Sequence, residues 1–113
     1  IMTTFTLQNK VHKMKKWLLL LCFTSSCFDG EPSEQRQAEL RTLVKNDCSA
    51  CHGLTLQGGM GPSLKPESLA GKPDELLITT ILNGRKGTAM PSWKSMMSQD
   101  DITWLVGMLK SGK

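Results

Sequence analysis

Cys48-Ser49-Ala50-Cys51-His52 places two thiols three residues apart with an imidazole directly behind the second, and Gly53, Gly58, Gly59, Gly61 and Pro62 follow within ten residues. Three chemistries use closely spaced thiols of this kind: a thiol redox pair, a zinc site and a covalently attached haem. Each demands different surroundings, so the rest of the chain decides between them.

The chain has 113 residues, enough for one small domain, in the size range where a cofactor or cross-link matters to stability. Its formal charge is +4, which invites a nucleic-acid reading. Four of its fourteen cations, however, are Lys10, Lys13, Lys15 and Lys16. From Cys27 onward ten basic residues face ten acidic ones, and a balanced domain has no electrostatic footprint for DNA or RNA.

The segment from Met14 runs through two lysines, an apolar stretch from Trp17 to Phe23, and small polar residues up to Cys27. That is the order of a secretory signal, and the apolar stretch falls short of the about twenty residues that a membrane-crossing helix needs. Residues 1–13 are expected to be an upstream extension and residues 14–27 the signal. Thr24-Ser25-Ser26-Cys27 also resembles a lipobox, so either simple cleavage or a lipidated Cys27 is expected. Both outcomes put the mature chain outside the cytoplasm, with Cys48 and Cys51 the only thiols in its fold.

Residues 28–36 read as a polar linker and 37–113 as the domain. Helical spacing begins near Ser33 and carries Leu40, Leu43, Val44 and Cys48 on one face, to about Asp47. Residues 53–72 are rich in glycine and proline and read as loop. A second helix is predicted from about Pro73 to Leu82, with Leu76, Leu77, Thr80 and Ile81 inward and Asn83-Gly84 ending it. A loop from Gly84 to Met97 leads to a last helix, opened by Ser98 with Asp101 three residues on. Its predicted inward face is Ile102, Leu105, Val106, Met108 and Leu109. No stretch alternates with period two, so the expected fold is all-α.

Roughly forty loop residues in a domain of about eighty are too many for a self-sufficient helical core. A redox Cys-x-x-Cys belongs at a helix N-terminus beside a βαβ unit. Here it ends a helix, and strands are not predicted. Zinc needs three or four ligands, while the processed chain offers two cysteines and one histidine. One haem c accounts for motif and loops together. Its vinyl groups take Cys48 and Cys51, His52 is the proximal ligand, and the surrounding loops wrap an apolar macrocycle.

A second axial ligand must come from far along the chain. Met108 belongs to a packing face, Met60 lies close to His52 in sequence, and Met96 and Met97 precede the last helix by a turn. Met90 sits mid-loop in Thr88-Ala89-Met90-Pro91, where Pro91 keeps the chain extended and Ala89 permits close approach. Met90 is the predicted ligand.

With these pieces in place, residues 37–110 resemble the class I monohaem cytochromes c, through CSACHG, GMGPSL, LAGKPDELLITTILNGRKG, TAMPSW and DDITWLVGMLKSG. The resemblance implies three main helices with long loops around one haem. It also implies that the Pro62 carbonyl accepts from His52 Nδ1 and that Trp93 lies at the haem edge. Two positions depart from the family pattern. Leu40 stands where the first helix usually has glycine, and Gly107 and Met108 occupy the partner segment, so Gly107 is expected to provide the close approach that Leu40 does not. Trp104 then either supplies the missing aromatic or covers the haem side.

A His/Met haem has no open coordination position, so the resemblance implies an outer-sphere electron carrier and not an enzyme. Arg85, Lys86 and Lys94 form an acid-free stretch suited to steering acidic partners. Within the family, NDCSACHG and TAMPSW look most like the cytochrome c55X type. This implies a periplasmic donor to haem-cd nitrite reductase, or to maturation of its haem, in denitrification. The rival expectations are a carrier between a quinol-oxidising complex and a terminal oxidase, and a peroxidase-type haem enzyme should Met90 not reach iron.

Overall fold

A computed structural model describes residues 30–113. The upstream extension, the signal and Cys27 lie outside the described residues. All regular structure among the described residues is helical. The elements are α1 (Glu34–Leu43), a π-helical turn (Val44–Cys48), α2 (Ser49–His52), α3 (Pro66–Leu69), α4 (Asp74–Asn83) and α5 (Gln99–Ser111).

Each long helix starts where local chemistry lets it. Ser33 caps α1 by accepting from the Arg36 N–H at 3.2 Å, so the helix begins within the expected linker. Ser98 and Asp101 form a reciprocal capping box at α5, each side chain meeting the other's backbone N–H at 3.1 Å. Asp74 and Glu75 set negative charge at the start of α4, and Gly84 ends it. Beyond Leu43 the first helix does not stop at Asp47. It widens into the π turn that carries Cys48, then tightens into α2 and ends at His52. The glycine-rich loop also holds a helical turn, α3, that spacing alone does not predict.

The core is small. Leu40, Val44, Leu69, Met97, Ile102, Leu105, Val106 and Leu109 are buried together. The α5 residues among them match the predicted face except for Met108, which is half-buried against the cluster. Met97, read from sequence as a residue merely preceding the last helix, is only 3 % exposed.

Two expectations about helix contacts need correction. A side chain at Gly107 would meet nothing within 4 Å, so Gly107 gives no close approach and faces open space. Leu40 is instead accommodated whole at the α1–α5 crossing, at 0 % exposure. Trp104 turns toward α1, where the Arg41 guanidinium lies 5.2 Å from its ring, and so it serves the crossing and not the haem side. Leu76, predicted inward, is 55 % exposed.

Helix α4 contains no fully buried residue although its sequence is apolar. The reason is its position: Leu76, Leu77, Thr80 and Ile81 face a cleft, and only Leu77, Ile78, Ile81 and Leu82 also touch the core. No helix among the described residues is long and apolar enough to cross a membrane.

Candidate functional site

The cleft measures about 520 Å³ and is bounded by α2, α4, α5 and the loop that follows α4. Its lining brings together Cys48, Cys51, His52 and Met90, residues up to 42 positions apart in sequence. The remaining wall is mostly aliphatic, and its volume lies in the range of cofactor pockets, about 300–1,000 Å³. A second and more open groove of about 590 Å³, beside Arg41 and Lys65, contains neither thiol nor His52.

The proximal wall is built from backbone bonds. After His52 the chain folds back so that Gly58 N–H donates to the His52 carbonyl and Gly61 N–H to that of Cys51, both at 2.8 Å. This return brings the Pro62 carbonyl within 2.7 Å of His52 Nδ1. The proline carbonyl accepts there, which fixes the tautomer and leaves the Nε2 lone pair free. Gly61 is the residue that makes the return possible. A Cβ there would stand 2.8 Å from Cε1 and 2.9 Å from Nδ1 of the imidazole. The sequence shows that glycine as ordinary loop material, and only the fold shows the ring above it.

The loop that follows α4 carries Met90 into the cleft lining. Gly84 turns the chain at φ 72°, and a Cβ there would stand 2.7 Å from the Met90 carbonyl oxygen. The two ends of the loop are therefore nearly in contact. Arg85 N–H donates to the Met90 carbonyl at 3.1 Å, Ser92 Oγ donates to Leu82 O at 2.7 Å, and Trp93 N–H to Ile81 O at 3.1 Å. Met90 is thus presented on a short arch stapled to the C-terminus of α4. Trp93 is half-buried and lines the cleft next to it. Met60, by contrast, lies at the rim of the cleft at 80 % exposure, and Met96 is also largely exposed.

Cys48 does not have the electrostatics of a redox thiol. Burial, with Asp47 adding to it, pushes the Cys48 thiol up to about 11, so at neutral pH it is an un-ionised thiol. Redox and nucleophilic cysteines show the opposite shift. No cluster of metal-ligating side chains of the kind that zinc needs occurs among the described residues.

The donor set and the cleft therefore fit haem c. Two thiols match the vinyl groups, one imidazole is oriented by a carbonyl, a thioether lines the same cleft, and the apolar face of α4 is available to cover a macrocycle. Sequence reasoning placed Cys48, Cys51, His52, Pro62, Met90 and Trp93 at the site, and all six line this one cleft. It missed Gly61 and Gly84, whose roles are steric.

Comparison with known proteins agrees with this geometry. The family model described as cytochrome c oxidase, cbb3-type, subunit III matches residues 35–107. The cytochrome c55X of Pseudomonas aeruginosa is 48 % identical over 100 residues, covering 84 % of this chain and 84 % of that protein. A solved structure of the c-type cytochrome NirC superposes with a TM-score of 0.71 at 52 % identity, covering 73 % of this chain and 96 % of that one. The dihydro-heme d1 dehydrogenase of Pseudomonas aeruginosa is 32 % identical over 80 residues, which is 71 % of this chain but 16 % of that longer protein.

Proposed function

The chain belongs to the cytochrome c55X family of small monohaem c-type cytochromes, and on that premise we propose that it is a periplasmic electron carrier that donates to haem-cd nitrite reductase in denitrification. Cys48 and Cys51 would hold the haem covalently, and His52 and Met90 would supply the ligands to its iron. When bound, the haem supplies one-electron exchange without an open position for substrate.

The observation that carries this reading is the convergence of His52 and Met90 on one apolar cleft. The chain's own residues then have defined tasks. Pro62 holds His52 in one tautomer. Gly84 and the Arg85–Met90 backbone bond hold the methionine arch. As a ligand the thioether of Met90, a weak donor to ferric iron, would favour the reduced state and raise the potential. Leu76, Ala89 and Pro91 are exposed at the cleft mouth, where they exclude water while leaving a contact surface. Arg85, Lys86 and Lys94 are exposed on the loop beside it. Their field steers an acidic partner and is screened by salt within about 10 Å at 0.1 M.

The test is reoxidation of the reduced protein by a haem-cd nitrite reductase. A rapid second-order reaction that slows as ionic strength rises is expected, as is a slower one after Lys86→Glu and Lys94→Glu with an unchanged spectrum. Failure with that enzyme together with rapid reduction of a terminal oxidase would overturn the proposed partner.

A second destination has one observation in its favour, the similarity to part of a dihydro-heme d1 dehydrogenase. A dehydrogenation releases two electrons, and a monohaem carrier removes them one at a time. Reduction of the ferric protein by such a dehydrogenase, during turnover of its own substrate, would place the chain in maturation of the reductase's haem.

A further inference from the structure

Four of the ten cations in residues 30–113 surround one groove. Arg41, Lys45, Lys65 and Lys113 line the second, open groove of about 590 Å³. Of the nine acids in the same span only Glu67 joins them. The span is close to charge balance, so the fold and not the composition gathers these cations. The ion pairs among the described residues are Arg36–Glu39, Arg36–Asp101 and Lys110–Asp74. None of them involves a cation of the groove.

Beneath the cations lies an apolar floor. Val44 and Leu109 are buried there, and Leu56, Leu64 and Met108 are half-buried. Leu54, at the edge, is 90 % exposed, more than any other large apolar side chain among the described residues. Its segment is nevertheless held by backbone bonds. Leu56 N–H donates to the Gly53 carbonyl at 2.8 Å and Leu64 N–H to the Leu56 carbonyl at 2.9 Å. The rim is also partly set in advance. Arg41 lies over the Trp104 ring and donates to the Lys113 carbonyl at 3.1 Å. A preformed basic groove with an apolar floor needs an explanation.

We propose that this groove is a second docking surface, and that it seats an acidic segment of a protein partner carrying an apolar anchor. The charge of the rim selects the sign of the occupant, and the floor selects its kind. Carboxylates of the segment meet Arg41, Lys45, Lys65 and Lys113, while an apolar side chain enters between them. A bilayer is the poorer match, because a flat surface reaches the rim and leaves the recessed floor uncovered. Leu64 and Leu109 line both groove and cleft, but Leu76, Ala89 and Pro91 at the cleft mouth do not line the groove. A segment seated in the groove therefore leaves the mouth free for electron exchange. A carrier held in this way meets its redox partner at a raised effective concentration. The proposal does not depend on which redox protein is the acceptor.

The probe is a synthetic peptide of glutamates flanking two leucines, titrated into the ferrous holoprotein and followed by amide NMR shifts. Saturating shifts are expected in segments 54–56, 64–67 and 108–112 and not in 85–94. Joint Lys45→Glu and Lys65→Glu replacement should weaken binding about tenfold, the sum of small exposed charge effects. Lys45→Gln with Lys65→Gln should weaken it less, and Lys86→Glu with Lys94→Glu should leave it unchanged. The ferric band at the red end that reports Met90 on iron should persist in every variant, which shows that the holoprotein is intact. A peptide with glutamines in place of its leucines should bind more weakly, which charge attraction alone does not produce. The proposal is overturned if the peptide does not bind, if its shifts centre on 85–94, or if the Lys45 and Lys65 variants bind it as wild type does. Equal binding of the leucine-free peptide also overturns it. So does binding to vesicles of phosphatidylglycerol and phosphatidylethanolamine that needs Lys45 and Lys65 when the peptide does not bind, because the surface then faces a membrane.

Discussion

Arg36, in the first turn of α1, grips Asp101, in the first turn of α5, through Nε at 3.1 Å and Nη2 at 2.9 Å. The same Nη2 donates to the Met96 carbonyl at 2.7 Å, so one guanidinium joins the start of the first helix, the start of the last and the end of the methionine loop. Asp101 meanwhile caps its own helix through Ser98. Burial raises the Asp101 pKa, but the Arg36 and Ser98 hydrogen bonds outweigh it and hold the carboxyl below its ordinary 3.8.

The sign of the resulting pH dependence follows. A depressed carboxyl contributes stability that is present above its unfolded pKa and is lost as pH falls through the folded one. Denaturation midpoints of the holoprotein should therefore fall as pH drops below about 4. Asp101→Asn should flatten that part of the profile and lower stability at neutral pH. Arg36→Gln, with Arg36 a third exposed, should cost about 2 kcal/mol.

Gly84 and the Met90 carbonyl oxygen make a second close relationship. Gly84→Ala must place a Cβ against that oxygen and hold a non-glycine residue at φ 72° and ψ −174°, a region essentially confined to glycine that costs roughly 1–3 kcal/mol. The arch opens first, because it is held by few bonds. The variant should keep its covalent haem but lose part of the red-end band, and the ferric form should bind cyanide faster than wild type. An unchanged band would mean that the arch does not hold the iron ligand.

What was legible in the sequence was what is local or chemically distinctive. Cys48, Cys51 and His52 announce themselves by spacing, the Ser98–Asp101 box by a three-residue interval, and the α5 face by its period. Met90 was singled out by elimination among methionines with poorer neighbours, and the fold brings it into the same cleft lining as His52. The Arg36–Asp101 bond spans 65 positions, and nothing in either residue's surroundings names the other. Met97 has no periodic context outside a helix, so its burial could not be read. Leu76 and Thr80 keep helical spacing whether the surface they face is protein or cofactor, which is why α4 read as an ordinary core helix.

Gly61 lies beneath the His52 ring. Gly61→Ala would put a methyl group closer to the imidazole than any relaxed contact allows, so ring and loop must separate. Overpacking of this kind costs typically 1–3 kcal/mol. It should also lengthen the Nδ1–Pro62 bond, weakening His52 as a donor and raising the potential. Chemical denaturation and redox titration of the variant check the two effects separately.

Replacing Leu40 tests how α1 crosses α5. Leu40 is fully buried, so Leu40→Ala should destabilise the holoprotein by about 2–5 kcal/mol. Leu40→Gly, the residue usual in the class I family at this place, should be worse and not better, because here no partner side chain is waiting to fill the space.

Gly107 completes that comparison from the other helix. It lies in the interior of α5, is exposed, and a Cβ added to it meets nothing within 4 Å. A glycine in such a place only loosens the helix, since it contributes no contact and has the most freedom to lose on folding. Gly107→Ala should therefore stabilise the protein by about 0.5–1 kcal/mol. A crossing that relied on Gly107 for close approach would instead be destabilised by the same substitution. The sign of the change in denaturation midpoint decides between the two packings. The red-end band and the potential should not move, because the exposed face of α5 that carries Gly107 lies away from the cleft, whose α5 wall is Leu105, Val106 and Leu109.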